Sequence, residues 1–250
     1  MTNNLALASY NGSQKGFTVR DLNLEQISFT GIDAEINSIA AGANGDLYIA
    51  AANHLYHYKV DGTLIKDMTF PDDRIQYVSV AIKGDQVFAA YEGSQVGVTV
   101  RDLDLNQLSW FATPYTASGI AAGNNDDLYI TSNNHIYHVK TNGEQLQDMT
   151  FPSNSINYTD VSVLGDLVFA SYNGSQQGFT VRDLSLNQLS YANVSANISG
   201  IAAGPDKNVY LSSENHIYNY AKDGTLIADL NFPVSSINYT SVSLVFVSLT

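Results

Sequence analysis

All five histidines of the chain fall in one repeated motif. His54 and His57 recur as His135 and His138, and the third copy keeps His216. Imidazole is a common metal ligand and acid–base group, so the repeat is a candidate metal site. His54 and His57 lie three residues apart in an alternating run, which would point them to opposite faces of a strand. We therefore favour a structural role and expect no metal site.

A second repeated cluster is better suited to binding a ligand. It places an aromatic ring beside hydroxyl and amide groups, a mixture typical of surfaces that recognise sugars or peptides. The intervening Asn-Gly-Ser residues also form ordinary loops, so a purely structural role stays open. The candidate ligand-binding residues are Tyr10, Ser13, Gln14, Tyr91, Ser94, Gln95, Tyr172, Ser175 and Gln176.

Three arginines also repeat, each followed by an aspartate. Arg20, Arg101 and Arg182 could present a planar fork to a carboxylate or a sugar hydroxyl. The alternative, which we favour, is an ion pair or backbone anchor that joins neighbouring strands.

These clusters belong to one long repeat. Thr-Val-Arg-Asp-Leu begins at Thr18, Thr99 and Thr180, and the other motifs keep the same step of 81 residues. Each unit divides into two unlike halves of roughly 40 residues, the length of a four-stranded propeller blade. The units span about 1–81, 82–162 and 163–243 within a single domain, 1–250.

Both halves carry the pattern of short antiparallel strands. Runs of β-branched and aromatic residues alternate with turns such as Asp223-Gly224, and no amphipathic helix is visible. The sequence predicts an all-β, six-bladed β-propeller with four antiparallel strands per blade and pseudo-threefold symmetry.

The two ends of the chain predict how the ring closes. Leu5–Tyr10 matches the second strand of an internal blade, and Ile237–Ser243 matches the first strand. A C-terminal strand over about 237–248 should therefore complete the N-terminal blade, which leaves no open sheet edge.

One blade type resembles the NHL repeat of six-bladed propellers. The likeness lies in Gly200-Ile201-Ala202, a Pro205-Asp206 turn, Asn208–Leu211, Asn215-His216 and Asp223-Gly224. It covers about half of the chain, and the repeat is a structural motif, so the resemblance implies the propeller fold and not an activity.

Lactonase-like six-bladed propellers suggest an alternative function. They hold a metal in the central channel through acidic and amide side chains. The corresponding channel residues here are Gln76, Asn157, Asp160 and Asn238, with Asp160 as the one clear carboxylate. No nucleophile, base or metal cage accompanies them, so we assign no catalytic residues and expect no cofactor. A non-catalytic binding or scaffold propeller for glycan or protein ligands is favoured over this metal-assisted hydrolase.

Composition excludes several partners. A net charge of −13 with only 11 basic residues would repel a phosphate backbone or an anionic membrane. We therefore expect no nucleic acid and no membrane partner, and we expect a monomer. The absence of cysteine excludes disulfides and thiolate metal sites. No signal peptide is visible at the N-terminus, so the compartment stays open, with the cytoplasm as the default.

Overall fold

The computed structural model describes residues 3–42, 45–70, 72, 74–151, 155–205, 207–232 and 236–247. Met1, Thr2, Asp206 and Ser248, which belonged to the sequence predictions, lie outside these residues. The elements of the described residues are all strands, which confirms the all-β prediction. The described residues form no apolar helix of membrane-spanning length.

The strands lie in six sheets, which we number as blades in chain order. Blade 1 contains β1 (Asn3–Gly12), β2 (Gly16–Arg20), β3 (Gln26–Gly31) and the closing strand β24 (Ile237–Val247). Blade 2 contains β4 (Ile36–Ala41), β5 (Leu47–Ala51), β6 (His54–Tyr58) and β7 (Leu64–Thr69). Blade 3 contains β8 (Ile75–Lys83), β9 (Gln86–Gly93), β10 (Gly97–Asp102) and β11 (Gln107–Ala112).

The second half of the chain repeats this arrangement. Blade 4 contains β12 (Gly119–Ala122), β13 (Asp127–Ser132), β14 (His135–Lys140) and β15 (Gln145–Thr150). Blade 5 contains β16 (Ile156–Leu164), β17 (Leu167–Gly174), β18 (Gly178–Asp183) and β19 (Gln188–Asn193). Blade 6 contains β20 (Gly200–Ala203), β21 (Val209–Ser213), β22 (His216–Tyr220) and β23 (Leu226–Asn231).

The blades form a closed ring. The inner strands β24, β4, β8, β12, β16 and β20 each contact the next one, and β20 contacts β24. β24 pairs antiparallel with β1, with Asn3 opposite Val247 and Gly12 opposite Ile237. This pairing confirms the six-bladed propeller and its closure by the C-terminal strand.

The hydrophobic core lies between the blades. At the interface of blades 5 and 6, for example, Phe169 and Phe179 pack against Leu211 from the neighbouring sheet, and all three are fully buried. Each interface joins two sheet faces, so stacking blades removes from water the apolar faces that one sheet could not bury alone.

Candidate functional site

The repeated loops lie on one side of the ring, which we call the loop face. This side carries the β1–β2, β9–β10 and β17–β18 hairpins and the chain segments that enter the inner strands, such as residues 193–197. Asn173 fixes one such segment, because its side chain donates to the Ile198 carbonyl and accepts from the Ile198 amide at 2.8 and 2.9 Å. The asparagine of the loop is thus committed to positioning the next blade.

The loop tyrosines do not face solvent, which corrects the prediction that their rings contact a ligand. Tyr10, Tyr91 and Tyr172 are only 2–3% exposed. They lie on the same strand face as the buried alanines two residues earlier, so alternation turns them into the core between blades. Burial raises the pKa of Tyr10 to about 12, with the Tyr239 hydroxyl as a further cause.

The predicted polar residues of the loops do lie at the surface. The serine and glutamine of each loop are exposed, namely Ser13, Gln14, Ser94, Gln95, Ser175 and Gln176. The serine hydroxyls bond locally, as Ser175 does with Ser155 at 3.0 Å. The glycine before each serine has a positive φ, and at Gly174 an added Cβ would overlap the Ser155 carbonyl oxygen, so the hairpin requires glycine there.

One of these loops borders an open cleft between blades 5 and 6. The cleft has a volume of about 740 Å3 and is mostly polar. Ser175, Gln176 and Asn193 line one wall, and Glu214, His216 and Tyr218 line the other. From the sequence we predicted Ser175 and Gln176 of the first wall as ligand-binding residues but assigned none of the second wall to that site, although the repeated His-x-Tyr positions were visible.

The second wall is held rigid by a repeated pair of hydrogen-bonded side chains. His216 Nδ1 lies 2.7 Å from Asp229 Oδ1, and its ring stacks on Tyr218 with centroids 5.2 Å apart and planes 5° apart. His54 with Asp67 and His135 with Asp148 repeat the same 2.7 Å contact. Burial, followed by the charge of Asp229, raises the pKa of the Tyr218 hydroxyl. His54, His135 and His216 each contact an aspartate, and His216 stacks on Tyr218, which is consistent with the structural role favoured from the sequence.

The central channel holds a second polar group. A cavity of about 170 Å3 is lined by the inner strands, chiefly by aliphatic side chains and by Ser38, Ser79, Ser162 and Asp160. Asp160 follows a β-bulge in β16, and its two carboxylate oxygens accept the amides of Val161 and Ile201 at 2.8 and 3.1 Å. Desolvation by burial raises its pKa to about 7, although those two bonds oppose the shift.

The four predicted channel residues do not come together. Asp160 lines the cavity, whereas Gln76 lines a separate opening of about 380 Å3 on the loop face. Asn157 and Asn238 are exposed at the start of their strands, three residues before the level of Asp160. Within the described ranges, no three His, Cys, Asp or Glu side chains could share a metal ion. The structure thus corrects the expectation of one amide–carboxylate cluster.

The repeated arginines anchor turns. Arg182 is buried, donates from Nη1 to the Leu186 carbonyl at 2.8 Å and from Nη2 to the Tyr158 hydroxyl at 3.2 Å. Arg20 and Arg101 make the matching bonds to Leu24 and Leu105. Their backbone-anchor role agrees with the interpretation favoured from the sequence.

Comparison with known proteins supports the fold. A scan against protein-family models and a search of curated proteins found no match. A solved structure of a protein of unknown function from Bacteroides caccae is similar, with 12% identity, a TM-score of 0.77 and coverage of 96% of this chain and 98% of that chain. The WD40 β-propeller domain of Doa1 has 10% identity, a TM-score of 0.68 and coverage of 93% and 80%. The RRP9 WD40 repeats have 13% identity, a TM-score of 0.62 and coverage of 85% and 84%. At these identities the likeness shows a β-propeller fold and nothing beyond the fold.

Proposed function

We propose that this propeller is a non-catalytic binding module that holds a glycan or a protein segment on its loop face. The observation that carries the proposal is the open cleft between blades 5 and 6, where Gln176 and Asn193 stand opposite Tyr218. A rigid aromatic ring faced by amides and hydroxyls offers both contact area and hydrogen bonds. The likeness in fold to two WD40 domains supports protein interaction in general.

The exposed serine and glutamine pairs supply the polar contacts in this proposal. Ser13 with Gln14 and Ser94 with Gln95 occupy the matching loops, so a ligand with repeated epitopes could engage more than one of them. Weak individual sites would then give a useful combined affinity. We also propose that blades 2, 4 and 6 are NHL-like repeats. This resemblance does not indicate a particular ligand.

Binding of the labelled protein to glycan and peptide arrays tests the proposal. We expect one class to bind, and the double variant Ser175→Ala, Gln176→Ala should weaken that binding by about tenfold through lost hydrogen bonds. Ser94→Ala, Gln95→Ala is the matched control in another loop and should weaken it less. No binding in either array would contradict the proposal.

A hydrolase remains the second candidate because of Asp160. A carboxyl group with a pKa of about 7 in a narrow cavity has the proton affinity of a general base. Assays with small lactones and esters, with and without added divalent ions, test this candidate. Activity that Asp160→Asn abolishes would support it, and equal rates for the two proteins would dismiss it.

A further inference from the structure

The three copies of the His-x-Tyr wall differ in what lies against the tyrosine. At the interface of blades 3 and 4, Tyr115 stacks on Tyr137 with ring centroids 3.7 Å apart and planes 2° apart. Tyr115 comes from the segment that joins these blades, so the chain supplies its own flat ring. This stack shows which shape of group fits the wall.

The repeat places alanine where that ring would stand in the other two copies. Residue 115 corresponds to Ala34 and Ala196, and Tyr137 corresponds to Tyr56 and Tyr218. Tyr56 is only 9% exposed and belongs to the same buried cluster as Ile32. Tyr218 is half-buried and lines the open cleft together with Ala196. The cleft therefore matches the Tyr115 position with its ring removed.

We propose that the cleft between blades 5 and 6 binds an aromatic side chain of a partner polypeptide, which stacks on Tyr218 as Tyr115 stacks on Tyr137. This inference rests on the proposed binding function and specifies its ligand. At the interface of blades 3 and 4 the group that stacks on Tyr137 is the side chain of Tyr115, which belongs to a peptide segment. The planes of the two rings are nearly parallel and lie at van der Waals contact. A flat aromatic ring meets that condition, whereas the chair of a sugar ring carries axial hydrogens that hold it farther away.

The walls of the cleft also carry polar groups that could bond to the backbone of a peptide ligand. Gln176, Asn193 and Asn197 are exposed and offer amide donors and acceptors to a peptide. Glu214 is exposed where the filled interface has Asn133, so the open cleft carries a negative charge that the filled one lacks. The partner segment should therefore place a lysine or arginine near its aromatic residue.

Titration of the isotope-labelled protein with acetyl-Thr-Pro-Tyr-Thr-amide, the sequence of residues 113–116, tests the proposal by NMR. Amide signals around Tyr218 and Gln176 should shift. Replacing the peptide tyrosine by alanine, or by the non-planar cyclohexylalanine, should weaken binding more than about tenfold. Methyl β-glucoside is the sugar probe. Equal binding of the cyclohexylalanine peptide, or shifts with the glucoside alone, would overturn the proposal.

Variants of the protein test the internal mimicry. Ala196→Tyr should abolish binding, because the new ring fills the cleft. Tyr218→Ala should also abolish binding, because it removes the ring on which the ligand stacks. Tyr115→Ala should open the second cleft, so that the number of bound peptides per chain roughly doubles. Ala34→Tyr adds the same ring at a different interface and should leave binding unchanged. Thermal unfolding of each variant verifies that it is folded.

The two proposals fail in different ways. An array ligand whose binding survives Ala196→Tyr and Tyr218→Ala would overturn the aromatic site and leave the binding function intact. A single site in the Tyr115→Ala variant would show that Tyr115 does not stand in for a ligand, which also overturns the inference. No ligand in the arrays and no shifts in the titration would remove both.

Discussion

At the scale of single residues, Asp160 breaks the repeat in the channel. The matching residues are Ser79 and Ser241, and each of them accepts an amide hydrogen bond from the inner strand of the next blade, at 3.1 and 3.5 Å. Asp160 keeps that bond and adds a carboxyl group. Among the described residues that line the cavity, no other side chain titrates between pH 2 and 12. Its ionisation is thus an isolated event inside the ring.

Asp160 should make stability depend on pH. Its folded-state pKa of about 7 exceeds the ordinary value of 3.8, so the folded protein binds a proton that the unfolded chain releases. The free energy of unfolding should fall from about pH 4 to about pH 7, by at most ~1.4 kcal/mol per pH unit, and then level off.

Urea unfolding across this range, by circular dichroism, checks the slope. Asp160→Ser introduces the residue of the sister blades and should flatten this part of the curve. Asp166→Asn removes an exposed acid of the same blade and should leave the slope unchanged. Equal slopes for wild type and Asp160→Ser would contradict the assignment.

The sequence predicted which loop residues carry polar groups but not where their tyrosines point. Ser175 and Gln176 are exposed as expected, whereas Tyr172 is buried. Alternation along β17 contains the missing signal, because Val168, Ala170 and Tyr172 share one face. Amino-acid type alone suggested a binding surface, and strand parity decides against it.

At the scale of elements, the outer hairpins depend on residues with unusual backbone angles. Leu24, Leu105 and Leu186 have φ values of 68°, 61° and 59°, in the left-handed region that favours glycine. Each leucine side chain is buried, and its carbonyl accepts from a buried arginine. Packing and the guanidinium bond together hold a turn that local propensity disfavours. The sequence predicts a turn at Asp183–Ser185, but it does not predict the left-handed angle of Leu186, since no glycine marks that position.

Replacing Arg182 should therefore destabilise blade 5. Arg182→Met keeps the length of the side chain but leaves the Leu186 carbonyl and the Tyr158 hydroxyl without their donor. We expect the free energy of unfolding to fall by about 2–4 kcal/mol, the cost of buried polar groups left unpaired.

Chemical denaturation measures this loss, and a second substitution separates its causes. Asp183→Asn changes the neighbouring half-buried residue but keeps an oxygen that can accept from the Asn187 amide, so it should cost far less. Leu186→Gly in the Arg182→Met background should lower stability further, because the loss of a buried leucine side chain outweighs the relieved backbone strain. An unchanged midpoint for Arg182→Met would contradict the anchor role.

At the scale of the whole molecule, two features of the sequence predicted the ring. One is the period of 81 residues, and the other is that the C-terminal segment matches the first strand of the blade whose second strand begins the chain. What the sequence left open was the difference between equivalent interfaces. Tyr115 fills one of them and Ala196 leaves another open. Such differences depend on whether a side chain of the connecting segment reaches the tyrosine of the next blade. That contact is visible only in the three-dimensional structure. The expected monomer is checked by sedimentation of the intact chain.

Removing the closing strand should destroy the cooperativity of the fold. A chain that ends at Ser236 lacks β24, so β1 has a free edge and the interface of blades 6 and 1 loses Ile237, Tyr239 and Val242. We expect aggregation or a broad urea transition, whereas a chain that ends at Val247 should unfold like the full protein. A peptide of residues 237–247 added in trans should restore the sharp transition. A sharp unfolding transition without that peptide would contradict the prediction.

The seam between β1 and β24 also sets how the ring responds to mechanical force. Asn3 and Val247 are paired neighbours, so tension applied at these two residues loads one hydrogen-bonded pair at a time and peels the strands apart. Tension applied at Asn3 and Ile237 would instead pull the strands past each other and load all the pairs together. Single-molecule pulling should therefore find a lower rupture force for the first geometry. Tension that enters the ring through Asn3 and Val247 would therefore separate β1 from β24 before it reaches the strand pairs of the other blades.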